Sequence, residues 1–233
     1  MDKAGAMIVT TVYLAAGGAA ADPWPVLGNS GTERLALAAL ADLALARRLQ
    51  VAPAADDESP AARRLAIVPG SPLPPVLAAA VDALSSVTKQ LDIGRAVRAL
   101  RDLAPAVEAA LVASGDVVEE GTRGVLRKRA ALRARPESVA AVRQWIGWFP
   151  WPPNAEVHAL ALLATIGLPR QRMAELLGGA AGPQLLALDP FGPYDPNALA
   201  PDRAPIGPNG ADLLGALTLE LAATSDTTGW ASS

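Results

Sequence analysis

The stretch GTERLALAALADLALARR, residues 31–48, decides the fold of this chain because it is apolar on nearly every face. Alanine and leucine are strong helix formers, so the stretch predicts a helix. A helix without a polar face has to lie inside the protein. Ser30, followed three residues later by Glu33, has the spacing of a capping box and predicts where this helix begins. We therefore expect a buried central helix around which the other elements pack.

Working outward, hydrophobic periodicity and turn residues predict further helices and two short β-hairpins. Ser71 is the expected cap of the helix after the first hairpin, and Gly115 is the expected end of a later one. The first hairpin pairs 49–53 with 63–68 through 54–62, and the second covers 116–129 with its connection at 119–124. The predicted helices cover 73–85, 88–102, 104–114, 136–148, 155–167, 170–178 and 211–224. This order predicts a mainly α, single compact helical domain spanning residues 1–233.

The N-terminal stretch MIVTTVYLA, residues 7–15, has a composition that also occurs in signal peptides and membrane helices. The chain begins Met-Asp-Lys, which lacks the cationic cluster of a signal peptide, and Thr10 and Thr11 interrupt the apolar run. A membrane span of this length would be marginal. We expect a buried strand or short helix here.

Composition excludes several classes of function. Half of the 233 residues are apolar, cysteine is absent and His158 is the only histidine. A thiol nucleophile, a disulfide and a histidine-rich metal site are therefore impossible. The sequence shows no Ser-His-Asp order, no phosphate-cradling glycine loop and no spacing typical of metal ligands. We predict a non-enzymatic cytoplasmic protein with no cofactor and no metal.

Positive charge is concentrated in one part of this acidic chain. Arg95, Arg98 and Arg101 recur at a three-residue spacing on a predicted helix, and residues 121–135 contain six basic residues and no acidic one. The whole chain carries a net charge of −3. A cationic patch on an acidic protein indicates an anionic partner, and guanidinium groups suit phosphate because they bind it bidentately.

With these elements in this order, the chain resembles the Golgi phosphoprotein 3 family in its bacterial form. Four stretches carry the resemblance, which covers about residues 7–178, while the Pro/Gly-rich 179–233 diverges and ends in a helix. The stretches are LALAALADLALARRLQV at 35–51, RLAIVPGSPLPPVLAAAVDAL at 64–84, LRDLAPAVEAALVASGDV at 100–117 and EVHALALLATIGL at 156–168. The composition, rich in Ala, Arg, Gly and Pro, also indicates a GC-rich bacterium.

The resemblance implies a helical, peripheral membrane protein that binds phosphatidylinositol 4-phosphate and acts as an adaptor. It implies a head-group site at Trp24, Arg34 and Arg101. The family's second spaced arginine falls on Ala104 here, and Arg98, one helical turn before Arg101, replaces it. The family hairpin inserts into the bilayer. In this chain the corresponding membrane-contact residues are Val125, Leu126, Arg127, Lys128 and Arg129.

Because only Val125 and Leu126 in this hairpin are apolar, we expect attachment driven by charge more than by insertion. The expected partner is an anionic phospholipid or phosphoinositide at a membrane surface. A protein partner or a homo-oligomer remains open. The alternative is a winged-helix nucleic-acid binder, since helix, glycine turn and basic hairpin occur there too. We expect a nucleic-acid partner less than a lipid partner, because residues 103–115 offer no Lys, Arg, Asn or Gln to read bases.

Overall fold

A computed structural model describes residues 7–17, 29–51, 64–120, 131–147 and Leu217. These residues are mostly helical, with two separate two-stranded antiparallel sheets, which confirms the predicted mainly α class. The helices are α1 (Ile8–Gly17), α2 (Asn29–Leu45), α3 (Pro75–Ser85), α4 (Ile93–Ala99), α5 (Ala104–Ser114) and α6 (Pro136–Gly147). The strands are β1 (Leu49–Val51), β2 (Leu65–Ile67), β3 (Val117–Glu120) and β4 (Ala131–Ala134).

Helix α2 is the buried central helix that its apolar sequence predicts. Every residue from 34 to 44 is buried, including the charged Arg34 and Asp42. The helix packs against α1, α3 and α4, so three neighbours cover its surface. Burying a leucine side chain contributes about 1.5–3 kcal/mol, so this packing holds the described helices together.

Both ends of α2 differ from the prediction. The helix begins at Asn29, so Ser30 lies inside it and is not the N-cap. Glu33 pairs with Arg101 and does not complete a capping box. At the other end, the helix stops at Leu45 because Arg47 adopts a left-handed conformation with φ 56°. The Arg48 amide then donates to the Leu43 carbonyl at 2.8 Å, which closes the helix with a Schellman motif.

Strand β1 leads directly from this helix end and pairs antiparallel with β2, as predicted. The connection between the two strands lies largely outside the described residues. Arg48 fixes the turn after β2, because its Nε donates to the Val68 carbonyl at 2.7 Å and its Nη1 to the Ser71 carbonyl at 2.5 Å. Ser71 therefore serves as an acceptor through its backbone, and its predicted capping role is wrong. The N-cap of α3 is Pro74, which makes no side-chain cap bond.

Helix α4 is shorter than the helix predicted at 88–102. The segment before Ile93 is not helical, and α4 begins where the Asp92 side chain accepts a hydrogen bond from the Arg95 amide. Helix α5 spans the predicted residues and ends at Gly115, which confirms that prediction. Gly115 has φ 76°, a conformation that costs glycine little because it has no Cβ.

The second hairpin pairs β3 with β4, with Val117 opposite Ala134. Its predicted connection at 119–124 was wrong at its start, because Glu119 and Glu120 belong to strand β3 and pair with Leu132 and Ala131 of β4. The sequence pattern indicated that a hairpin is present here, but it did not locate the second strand of that hairpin. Helix α6 begins at Pro136, as predicted.

Helix α1 settles the choice between a strand and a helix for the N-terminal stretch. It packs against α2, α5 and α6, and Ile8, Val9 and Leu14 are fully buried. Its Tyr13 hydroxyl bonds the Glu108 carboxylate of α5 at 2.5 Å. Within the described ranges, no helix combines the length and apolarity that crossing a membrane requires. The predicted helices at 155–167 and 170–178 lie outside these ranges, and of the predicted 211–224 helix only Leu217, helical and buried, lies within them.

Candidate anion-binding site

A cationic recess lies where α3 ends and α4 passes beside it. We call it the α3–α4 recess. It is open to solvent and has a volume of about 520 Å³. Its lining residues are Ser86, Val87, Thr88, Lys89, Arg95, Arg98 and Ala99. Three of them carry positive charge and none carries negative charge, so the recess can attract and hold an anion.

Local sequence explains why the three cations meet. Ile93 and Ala96 are buried against the core and fix the inner face of α4. Arg95 and Arg98, three residues apart, are neighbours on the helix surface. The connection from α3 is pinned to the sheet, because the Leu65 amide of β2 donates to the Leu91 carbonyl at 2.8 Å. This brings Lys89 to the same recess as the two arginines.

Arg95 is the most constrained of the three cations. Its Nη1 donates to the Gln90 carbonyl at 2.6 Å and lies 3.0 Å from the Asp92 carboxylate. The other oxygen of Asp92 accepts the Arg95 amide at 2.7 Å, so Asp92 caps α4 and orients the guanidinium at once. In contrast, Lys89 and Arg98 are exposed and make no ion pair within the part of the chain that the structure describes.

The three predicted arginines of the head-group site occupy three different environments. Arg98 lines the α3–α4 recess. Arg101 follows the end of α4 and reaches across to α2, where its Nη2 lies 3.2 Å from the Glu33 carboxylate. Its side chain is 53% exposed, so this ion pair is a surface one. Arg34 is 2% exposed, and a head group from solvent cannot reach it without local rearrangement.

Burial also affects the chemistry of Arg34. Desolvation lowers its pKa from the usual value, because the charged guanidinium loses its hydration in the core. The remaining predicted site residues, Trp24 and the hairpin residues Val125, Leu126, Arg127, Lys128 and Arg129, lie outside the described residues. The complete predicted site therefore stays a prediction.

Sequence reasoning missed Lys89, Thr88 and the role of Asp92. Asp92 did carry a signal, because an aspartate three residues before Arg95 has N-cap spacing. No sequence signal pointed to Lys89 and Thr88. Both were placed in the predicted helix at 88–102, whereas they lie in the connection before α4. Among the described residues, no group of three His, Cys, Asp or Glu side chains is placed to hold a metal ion.

Sequence reasoning also missed Asp42, which is buried in α2. Its two carboxylate oxygens accept the Ile8 and Val9 amides, each at 2.9 Å, so it caps α1 from a different helix. Desolvation raises the pKa of Asp42 to about 7, while the two amide hydrogen bonds oppose that rise. Asp42 is remote in sequence from the recess and serves the packing of α1 on α2.

Comparison with known protein families and with curated proteins finds no match for this chain. The case for its function therefore rests on its own residues.

Proposed function

We propose that this protein is a peripheral membrane protein that binds anionic lipid head groups, of the phosphoinositide type by resemblance. The observation that carries the proposal is the α3–α4 recess, which gathers Lys89, Arg95 and Arg98 without an acidic lining residue. Anion binding needs several N–H donors that converge on one point, and these side chains supply them.

The shape and polarity of the recess favour a head group over an apolar ligand. Pockets for drug-like molecules are lined mainly by hydrophobic and aromatic side chains. The α3–α4 recess contains no aromatic residue, and only Val87 and Ala99 are apolar. It is also open, so a head group that remains attached to a bilayer can enter it from outside.

A second cationic region supports attachment to an anionic surface. Residues 121–135 include six basic residues, and two of them, Arg133 and Arg135, are exposed on and just after β4. Each Lys or Arg near an anionic membrane contributes about 1 kcal/mol of attraction. This region strengthens binding to any anionic bilayer, while the recess supplies a place for an individual head group.

Features of α5 count against the winged-helix alternative. A recognition helix reads base edges with Arg, Lys, Asn or Gln side chains, and α5 (Ala104–Ser114) has none of these. Its one charged residue, Glu108, faces α1 and bonds the Tyr13 hydroxyl. An overall pI of about 5.2 is also unlike that of a typical DNA-binding domain.

Sedimentation of the full chain with liposomes tests the proposal. We expect binding to phosphatidylcholine vesicles that contain an anionic lipid, and none to phosphatidylcholine alone. Because exposed charges are screened over about 8 Å at physiological salt, affinity should fall as salt rises. Absence of binding to every anionic vesicle would overturn the proposal, and tight binding to duplex DNA instead would favour the alternative.

Variants in the hairpin test whether charge or insertion dominates. Replacing Arg127, Lys128 and Arg129 with alanine should remove about 3 kcal/mol of attraction, on the order of a hundredfold in affinity. The comparison variant is Val125→Asp with Leu126→Asp, which removes the two apolar side chains and adds two negative charges, so it is interpreted together with the salt dependence. Binding that is insensitive to salt, yet lost in this comparison variant, would show that insertion dominates.

A further inference from the structure

The lining residues of the α3–α4 recess, counted together with the Asp92 that pairs with Arg95, carry a net positive charge of about two. Lys89, Arg95 and Arg98 contribute three positive charges, and Asp92, which pairs with Arg95, contributes one negative charge. Charge complementarity determines which anions a site prefers. A ligand with two negative charges therefore matches the recess better than a ligand with one.

The cations differ in how free they are to contact a ligand. Arg95 is 37% exposed and anchored on one edge by Gln90 and Asp92. Lys89 and Arg98 have no such anchor within the described ranges, so their donors are available. A lysine offers three N–H donors, and an arginine offers a planar fork that matches two oxygens of a phosphate.

Neutral donors in the recess are few. The Ser86 hydroxyl donates its proton to the Ala83 carbonyl at 2.6 Å, so that proton is already used. The Thr88 hydroxyl makes no hydrogen bond among the described residues and lies in the same recess. The seven-residue helix α4 adds no free N-terminus, because Asp92 caps it. Recognition in the recess therefore depends on the side chains of Lys89, Arg98 and Thr88.

We propose that the α3–α4 recess binds the dianion of a phosphate monoester, with Lys89, Arg98 and the Thr88 hydroxyl as its contacts. This inference rests on the proposed function, since it uses the same recess, and it names the class of ligand. A phosphate monoester carries about −1.5 to −2 charge at pH 7 and presents three acceptor oxygens. A phosphodiester carries one charge and has two free oxygens, so it leaves part of the recess unmatched.

The ligand chemistry has two sources, a lipid head group and a soluble phosphate monoester, and two kinds of probe distinguish them. The soluble probe is glucose 6-phosphate, with dimethyl phosphate as the diester control, titrated into the full chain by calorimetry. The membrane probes are phosphatidylcholine vesicles containing either phosphatidic acid, a monoester, or phosphatidylglycerol, a diester, matched in total charge. In each comparison we expect the monoester to bind roughly tenfold more tightly than the diester.

Matched variants link the preference to the recess. Arg98→Ala should lower affinity for the monoester by roughly tenfold to a hundredfold, because it removes a charge-assisted contact. Lys89→Ala, a second exposed recess position, should act in the same direction. The control is Arg47→Ala, which removes one exposed arginine charge from the end of α2. It should cost at most about fivefold, the effect of one general surface charge.

Each outcome separates this inference from the proposed function. Binding of glucose 6-phosphate without binding to any vesicle would support the recess ligand and refute membrane attachment. A preference for phosphatidic acid vesicles that Arg98→Ala removes would support both. Equal binding to the two charge-matched vesicles, with Arg98→Ala no worse than Arg47→Ala, would overturn the phosphate-monoester site and leave the proposed function standing. Binding to neither glucose 6-phosphate nor phosphatidic acid vesicles would overturn the phosphate-monoester site, and the proposed function would fall with it only if no other anionic vesicle binds either.

Discussion

The contact between α1 and α2 and the α3–α4 recess use charged side chains in opposite ways. Asp42 is buried, and both of its oxygens accept backbone amides of α1. Lys89 and Arg98 are exposed and make no ion pair in the described part of the chain. A buried charge without hydrogen bonds is very unfavourable, whereas an exposed one keeps its hydration.

This comparison shows how to separate structural from binding charges in this molecule. A charge whose hydrogen bonds are satisfied inside the protein supports the fold, and its removal should affect stability. A charge that remains open in a recess contributes little to the fold, and its removal should affect ligand binding. Arg101 stands between the two classes, because it is exposed but pairs with Glu33.

Replacing Asp42 with alanine should produce the largest effect on stability. Two buried amides, those of Ile8 and Val9, would lose their acceptor, and each costs about 1–3 kcal/mol. We therefore expect Asp42→Ala to lower the free energy of unfolding by about 3–5 kcal/mol, measured by urea denaturation at pH 7. A loss below about 1 kcal/mol would show that the Asp42 side chain does not support the fold.

The pH dependence of stability should carry the signature of Asp42. Its pKa is about 7 in the folded state against 3.8 as the ordinary value, so the folded state holds the proton more tightly. The stability that proton binding at Asp42 adds is complete below about pH 4 and is lost as pH rises through 7, whereas the two hydrogen bonds to the α1 amides do not depend on that proton. The slope should approach about 1.4 kcal/mol per pH unit at most.

Asp42→Asn isolates this effect from the other titrating groups of the protein. Asparagine is neutral at every pH and keeps one acceptor oxygen for the α1 amides. The difference in unfolding free energy between the unaltered protein and Asp42→Asn should therefore change between pH 4 and pH 7. A constant difference across that range would contradict a raised pKa for Asp42.

Removing the charges of the α3–α4 recess should weaken binding and leave stability nearly unchanged, which is the opposite of what we expect for Asp42→Ala. Lys89→Ala combined with Arg98→Ala should change the free energy of unfolding by no more than about 0.5 kcal/mol, as is usual for exposed positions. Affinity for phosphatidic acid vesicles should nevertheless fall by roughly tenfold or more. Urea denaturation and vesicle sedimentation of the same preparation measure both. Strong destabilisation without a change in binding would show that Lys89 and Arg98 support the fold and do not bind the ligand.

The smallest expected effect concerns the ion pair of Arg101. Glu33→Gln should free Arg101 and raise affinity for anionic vesicles by up to about fivefold, the effect of one surface charge. Stability should fall by at most about 1 kcal/mol, because the pair is exposed. Decreased vesicle binding in Glu33→Gln would argue that the pair has to remain intact for binding.

Much of the fold was predictable because it follows from local physics. The apolar run 31–48 predicted the buried helix, and glycine's tolerance of positive φ predicted the end of α5 at Gly115. The end of α2 was less predictable, since Arg47 takes the left-handed conformation that glycine usually supplies. The return strand of the second hairpin was misplaced because hydrophobic pattern marks a strand only weakly in a basic segment.

Only part of the candidate site could be read from the sequence. The three-residue spacing predicted that Arg95 and Arg98 would be neighbours, and the recess confirms it. Lys89 joins them because the connection after α3 folds back beside α4, which no periodicity encodes. The burial of Arg34 and the pairing of Arg101 with Glu33 both depend on the tertiary packing around α2.

The sequence by itself determined the helical class, the central position of α2 and the presence of a cationic segment in an acidic chain. These properties depend on composition and on contacts between residues close in sequence. Only the tertiary structure decided which charges are buried, paired or open. The reason is that the fate of a charge depends on its partners, and those of Asp42 and Arg101 come from elements distant along the chain.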